Sequence, residues 1–427
     1  MKRIIIKFVA VVACIITTGA NAAEINVSDV EYAQTANRQV VITYKLTGTE
    51  SAVVTIDVCT NGVSIGAQNF TRLTGDVNTI VAPGSTAKRI FWKATRDWPN
   101  HKIDAGVTVK VKAWALTNPP DYFVLDLETG DKKYYVSTNA LPDGGLANDI
   151  YKTTKLVMRR IPADGETFTM GYPMSDPDLS GSYSYYSGRG AMPPHSVSLT
   201  NDYYMAIYEM TAKQYATVWP SQSNLASGNA YHQDDKQPRA YVPYANIRGT
   251  NKYWPRDGHE VQNSPDRFIK LIRGIAGGIM FDLPTEAQWE FACRAGSTTL
   301  YYDNQTWATR GNCPLYMWAD SWGRALDASQ EVGLLKPNAF GLYDMHGNVG
   351  EICLDAWAAG TSVSDGSAVV DPVGPEANDG GTYRVIKGGG FKSDKVMCGS
   401  GMRSTSSTAT PMDPDIGFRV VCPAVAR

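Results

Sequence analysis

Apolar and polar residues alternate along three stretches in the first quarter of the chain. Val40, Ile42, Tyr44 and Leu46 share one side while Val41, Thr43 and Lys45 share the other. Val54, Ile56 and Val58 repeat the pattern with Thr55 and Asp57 opposite, ending at the turn Asn61-Gly62, and Val107, Val109, Val111 and Ala113 do so against Lys110 and Lys112. A period of two marks a strand with one face buried. Short strands parted by Gly, Asn and Pro turns, without helical periodicity, predict an all-β sandwich of immunoglobulin or fibronectin type over 24–117. Modules of that kind bind, space or present, and this one offers no catalytic group.

The alternation stops at Thr117-Asn118-Pro119-Pro120. Residues 118–150 read as a linker with one strand, Tyr122 to Leu127, and a turn-rich tail, Leu141-Pro142-Asp143-Gly144-Gly145. From Tyr151 onward the helix signals are few and local. Thr211 with Gln214 forms a capping box that opens a short helix through Tyr215, Val218 and Trp219. Ser264-Pro265 opens a second, with Phe268, Leu271, Ile272 and Ile275 on one face. Thr285 with Gln288 opens a third, which Gly296 is expected to close in the left-handed conformation. Long irregular stretches rich in Gly, Asp, Asn and Ser lie between, and such loops need buried aromatics, ions or cystines to tie them down. Residues 151–427 therefore read as one α+β domain with much irregular backbone.

The N-terminus changes the picture of where the protein works. Lys2, Arg3 and Lys7 precede the apolar run Phe8 to Ile16, and Ala20-Asn21-Ala22 supplies small residues for cleavage, so 1–23 reads as an export signal. Val11-Val12-Ala13-Cys14 loosely matches a lipoprotein box, which leaves lipid anchoring at Cys14 as the alternative to simple secretion. No stretch reaches the ~18 apolar residues of a spanning helix. With a formal net charge of −2 over 427 residues, the chain has no nucleic-acid footprint. Beyond Cys14 there are Cys59, Cys293, Cys313, Cys353, Cys398 and Cys422. Outside the cytoplasm these can form cystines, whose pairing sequence alone does not choose. Buried thiols are the other reading.

The residues exclude several chemistries. The five histidines, His101, His195, His232, His259 and His346, are not at metal-ligand spacing. No nucleophile elbow is present, and Gly388-Gly389-Gly390 precedes no helix that would make it a phosphate loop. One stretch stands out, Asp344-Met345-His346-Gly347-Asn348-Val349-Gly350-Glu351. Two carboxylates bracket a loop whose glycines let carbonyls turn inward, an arrangement a hard cation such as calcium uses. Solvated acids at the same spacing would look alike.

Three ordered blocks carry a resemblance: LPTEAQWEFACRAG at 283–296, PNAFGLYDMHGNVGE at 337–351, and RVIKGGGF with GFRVV at 384–391 and 417–421. Together they resemble the formylglycine-generating enzyme, or sulfatase-modifying factor, family from about Lys155 to Ala424. The resemblance implies an irregular fold distantly related to C-type lectins, built round a peptide-binding cleft. It places a calcium site on the side chains of Asp344 and Glu351 and the carbonyls of Gly347 and Val349. The family's other calcium site has no clear counterpart in Asn312 to Val332. Family enzymes oxidise a substrate cysteine to formylglycine with copper(I) on two thiolates, a soft-ligand pairing. The second thiolate matches Cys398, the candidate catalytic residue, but the first matches Ser393, a poor copper(I) ligand. A family serine is Gly390 here, and two family tryptophans are Gly350 and Ile352. The expectation is thus a calcium-stabilised, exported protein that recognises an extended peptide or a glycan without copper. A copper-dependent oxidase acting on sulfatase cysteine and a structural cell-surface component are the alternatives.

Overall fold

Nine consecutive residue pairs join strand Ala52–Thr60 to strand Val107–Ala115, from Thr60 opposite Val107 to Ala52 opposite Ala115. In this computed structural model the chain is described over residues 8–10, 14–15, 25–104, 106–171, 194–222, 234–249, 267–303, 315–319, 326–358, 367–374, 383–407 and 413–425. The alternation in the sequence becomes burial directly: Val40, Ile42 and Leu46 are fully buried, and Lys45 between them is exposed. One sheet runs Phe8–Ala10, Ile25–Gln34, Val40–Gly48, Lys88–Trp92, Leu73–Gly75, with Cys14–Ile15 also on Ile25–Gln34. A second holds Val107–Ala115, Ala52–Thr60 and Val63–Ser64, with Thr79–Val81 also on Ala52–Thr60. Their apolar faces share one core around Ile42, Tyr44, Val54, Val58, Trp92 and Val109. Burying a Val, Leu, Ile or Phe side chain contributes roughly 1.5–3 kcal/mol, so this core is what holds the sheets together.

The chain divides into two compact units, one of residues 1–124, 132–149 and 424–427, the other of 125–131 and 150–423. Of residues 118–150, 118–124 and 132–149 fall in the first unit and 125–131 and 150 in the second. The strand Tyr122–Asp126 forms, and Tyr134 and Leu141 are buried, with the Tyr134 N–H donating to the Asn78 carbonyl at 2.8 Å within the first unit.

In the second unit both capping boxes form. Thr211 caps Ala212–Val218 and Thr285 caps Glu286–Arg294, each with its glutamine side chain returning to the cap N–H. The helix between them runs Phe268–Ile275 with Arg267 at its N-cap and no side-chain cap bond. Ser264 and Pro265 lie outside the described residues. Helix Glu286–Arg294 ends one residue early, on Ala295 at φ 45°, with Gly296 left-handed after it. The unit is β-rich with few, short helices. Its sheet Ser404–Ser407, Tyr383–Lys387, Gly350–Ala356, Ile416–Gly417 brings the second and third sequence blocks side by side. Among the described residues no helix is long and apolar enough to cross a membrane.

Candidate functional site

Trp289, Glu351 and Arg419 come from the three separate sequence blocks and meet in one buried knot. Arg419 donates from Nη2 to Glu351 Oε1 at 2.5 Å and from Nε to Oε2 at 2.6 Å, and Trp289 Nε1 donates to the same Oε2 at 2.7 Å. The remaining Arg419 donors reach the carbonyls of Ala206 and Tyr343. All three side chains are buried to the last ångström. A guanidinium suits this task because its planar fork matches a carboxylate bidentately while its other N–H groups satisfy carbonyls.

Two further carboxylates lie close to the knot. Glu209 accepts from Asn348 Nδ2 at 2.7 Å and from the Val349 N–H at 3.0 Å. Asp344 Oδ2 accepts from the Gly333 N–H at 2.7 Å, and its Oδ1 is buried without a hydrogen-bond partner among the described residues. Burial, reinforced by Asp344 and Glu351, pushes Glu209 well above the ordinary carboxylate range. Burial likewise raises Asp344 to about 6, against the pull of the Gly333 N–H and Arg419. Asp344, Gly347 and Asn348 are all left-handed, at φ 57°, 80° and 64°, which gives the loop the inward turns its composition suggests.

Asp344 offers a buried, unpartnered oxygen of the kind a hard cation takes. Glu351 has three N–H donors on its two oxygens, which leaves one of its roughly four lone-pair positions. Among the described residues no three His, Cys, Asp or Glu side chains are gathered as a metal cluster, so any ion here depends on backbone carbonyls beside Asp344. Asp344 thus offers the free oxygen a hard cation would take, while Glu351 would supply mainly charge.

The copper set fits poorly. Cys398 Sγ donates to the Asp394 carbonyl at 3.7 Å, while Ser393 Oγ accepts the Gly390 N–H at 2.9 Å and so closes a turn. Elsewhere in the unit, burial pushes the Cys293 thiol up to about 12 and Cys353 well above the usual thiol range. Cys59, Cys293 and Cys353 are buried free thiols, Cys398 and Cys422 are buried too, and Cys313 lies outside the described residues. His346 serves the core: it accepts from the Tyr302 N–H at Nε2 and hence donates from Nδ1 to the Cys398 carbonyl at 2.7 Å. Burial lowers it to about 3, so it stays neutral.

The departures at Gly350 and Gly390 share one neighbour. The Gly350 N–H donates to the Asp415 carbonyl at 2.6 Å. A Cβ at Gly390 would sit 2.5 Å from that same oxygen, and one at Gly350 would sit 2.7 Å from Ile386 Cγ2. A side chain at Gly390 would have to displace the segment carrying Asp415, and one at Gly350 would have to displace the Ile386 side chain. Sequence reasoning missed Glu209, Trp289, Arg419 and Asp415 as parts of this region. Trp289 and Arg419 lie in quoted blocks and Glu209 and Asp415 outside them, and nothing local marks an acid or arginine as buried.

This geometry defines a small α+β scaffold in which separate sequence blocks converge on a buried carboxylate–guanidinium knot. Residues 162–424 match the sulfatase-modifying factor enzyme 1-like domain. That covers more than half of the chain, and the protein belongs to this family. The formylglycine-generating enzyme of Thermomonospora curvata is 36% identical over 124 residues, 27% of this chain and 40% of that enzyme. The chaperone protein LppX of Paenibacillus barcinonensis is 26% identical over 261 residues, 56% of this chain and 86% of the chaperone. The solved structure of Treponema denticola variable protein 1 overlays with a TM-score of 0.46 at 23% identity, covering 63% of this chain and 96% of that one. The chain thus spans less than half the length of the matched Thermomonospora enzyme.

Proposed function

We propose that this is an exported, non-catalytic member of the family, in which the second unit recognises an extended peptide or a glycan and calcium stabilises its central loop. The observation that carries the reading is Ser393. At the position of the first copper thiolate stands a hydroxyl engaged by the Gly390 N–H at 2.9 Å. The packing of Gly390 against Asp415 supports the same reading, because it leaves no room for the family's serine. The leader-like segment 1–23 and the β-rich first unit, read as immunoglobulin- or fibronectin-like, are consistent with display outside the cytoplasm. Kinship of the second unit with C-type lectins belongs to this proposal as well.

The test is an aldehyde assay. The full chain is incubated with copper(I) and a peptide holding a Cys-x-Pro-x-Arg core, and the peptide is weighed by mass spectrometry. No aldehyde above the copper-only background is expected. Aldehyde that disappears in Cys398→Ala would establish the oxidase reading instead.

Calcium is tested separately. An ion bound only by the folded state adds about 2.7 kcal/mol at a hundredfold excess over Kd, worth ~5 °C or more in Tm for a unit of this size. Chelation should lower the melting temperature of the wild type by that order. Asp344→Asn keeps a residue that tolerates the left-handed backbone and should melt alike with and without chelator. Identical wild-type melts in both conditions would remove calcium from the account.

A further inference from the structure

We propose that the first unit carries a binding groove for an anionic polysaccharide, distinct from the site in the second unit. Two recesses of about 470 and 280 Å³ share Arg72 and Lys93 in their linings. Arg96 lines the larger and Lys133 the smaller, and all four cationic side chains are exposed. The Lys93 N–H donates to the Arg72 carbonyl at 3.1 Å, which sets these two cations side by side. Buried Asp97 fixes one of them, accepting Arg72 Nη1 at 2.9 Å and the Arg72 N–H at 2.7 Å. Lys93, Arg96 and Lys133 make no ion pair with a described residue. Asp143 is the single carboxylate in either lining. This is a concentration of positive charge on a chain whose formal net charge is −2, and it faces an open recess rather than a buried partner.

The rest of the lining selects among polyanions. Asn37, Gln39, Thr74 and Asn78 add amide and hydroxyl groups, which pair with sugar hydroxyls as donors and acceptors. A membrane surface would want large apolar side chains at the rim to enter the headgroup layer, and none of the exposed large hydrophobic residues lines either recess. Single-stranded nucleic acid would want an aromatic face to stack on, and the one aromatic here, Tyr135, is buried. Two recesses joined through shared cations suit a chain of repeating sulfate or carboxylate groups better than one isolated anion.

The experiment uses the full chain on immobilised dextran sulfate, with neutral dextran as reference, across a range of sodium chloride. Retention on dextran sulfate alone is expected, with affinity falling steeply as salt rises, because cations that replace condensed counterions release them. The double variant Lys93→Glu/Arg96→Glu should lose at least tenfold in affinity at an unchanged melting temperature, since both side chains are exposed. Lys133→Gln should lose less. Lys110→Glu/Lys112→Glu, on the other sheet, should bind as the wild type does. Equal losses in the two charge-reversal pairs would overturn the groove, as would undiminished binding by Lys93→Glu/Arg96→Glu. Equal retention on single-stranded DNA or on phosphatidylglycerol vesicles would overturn the polysaccharide assignment. None of these readouts involves Cys398 or copper, so this proposal and the reading of the second unit fail independently.

Discussion

Arg419→Met is expected to destabilise the second unit by about 3–5 kcal/mol, the usual cost of removing one partner from a buried ion pair. The side chain is fully buried, and its guanidinium holds Glu351 through two contacts while also reaching the carbonyls of Ala206 and Tyr343. Without it, Glu351 keeps the Trp289 N–H but faces Glu209 and Asp344 without the guanidinium that pairs it. The carbonyls lose their donors in the same step. Arg419→Lys should recover little, because one ammonium cannot span a bidentate carboxylate and two carbonyls. The double variant Arg419→Met/Glu351→Leu should be more stable than Arg419→Met alone, since the carboxylate that lost its bidentate partner is gone as well. Urea unfolding followed by tryptophan fluorescence measures all three. A single variant as stable as the wild type would mean that the three blocks are held by packing, not by this knot.

The second large effect is expected at Gly347. Its φ is 80°, and a Cβ there would lie 2.0 Å from the Trp318 carbonyl oxygen and 2.6 Å from its carbon. That oxygen accepts the Asn348 N–H at 2.7 Å, so the obstacle is backbone already fixed by the loop itself. Gly347→Ala should cost roughly 3 kcal/mol or more, combining overpacking with left-handed strain. Gly165→Ala makes the comparison, because its φ of 76° is nearly the same and nothing lies within 4 Å of the added atom. That variant should cost only about 1 kcal/mol. The difference between the two melting temperatures isolates the clash. If both variants melt alike, the loop gives way at Trp318 and its rigidity has been overstated.

Both effects concern residues that sequence reasoning treated unequally. Gly347 was marked by its place between two acids, and the left-handed loop there is a local property of glycine and asparagine. The capping boxes at Thr211 and Thr285 were equally legible, since a hydroxyl and a glutamine three residues apart make the same two bonds wherever they fall. Helix Phe268–Ile275 showed its apolar face but not its boundary, which was expected to open at Ser264-Pro265; the N-cap is Arg267. In 118–150 the expected strand forms as Tyr122–Asp126, and the burial of Phe123 and Tyr134 was not legible in a stretch where turn residues dominate the composition.

What the amino-acid order determined by itself was everything carried by short-range periodicity and by contiguous blocks: the strands of the first unit, the two capped helices, the glycine-bearing loop and the family. Tertiary structure alone decided which charges meet. Arg419 finds Glu351 68 positions away in the chain, Gly350 and Gly390 both pack beside Asp415, and Arg72, Lys93, Arg96 and Lys133 line adjoining recesses. The physical reason is that alternation and capping depend on bonds a few residues long. A buried ion pair or a cationic recess depends on where distant segments cross, and the energy that chooses the crossing is the burial of apolar surface around them.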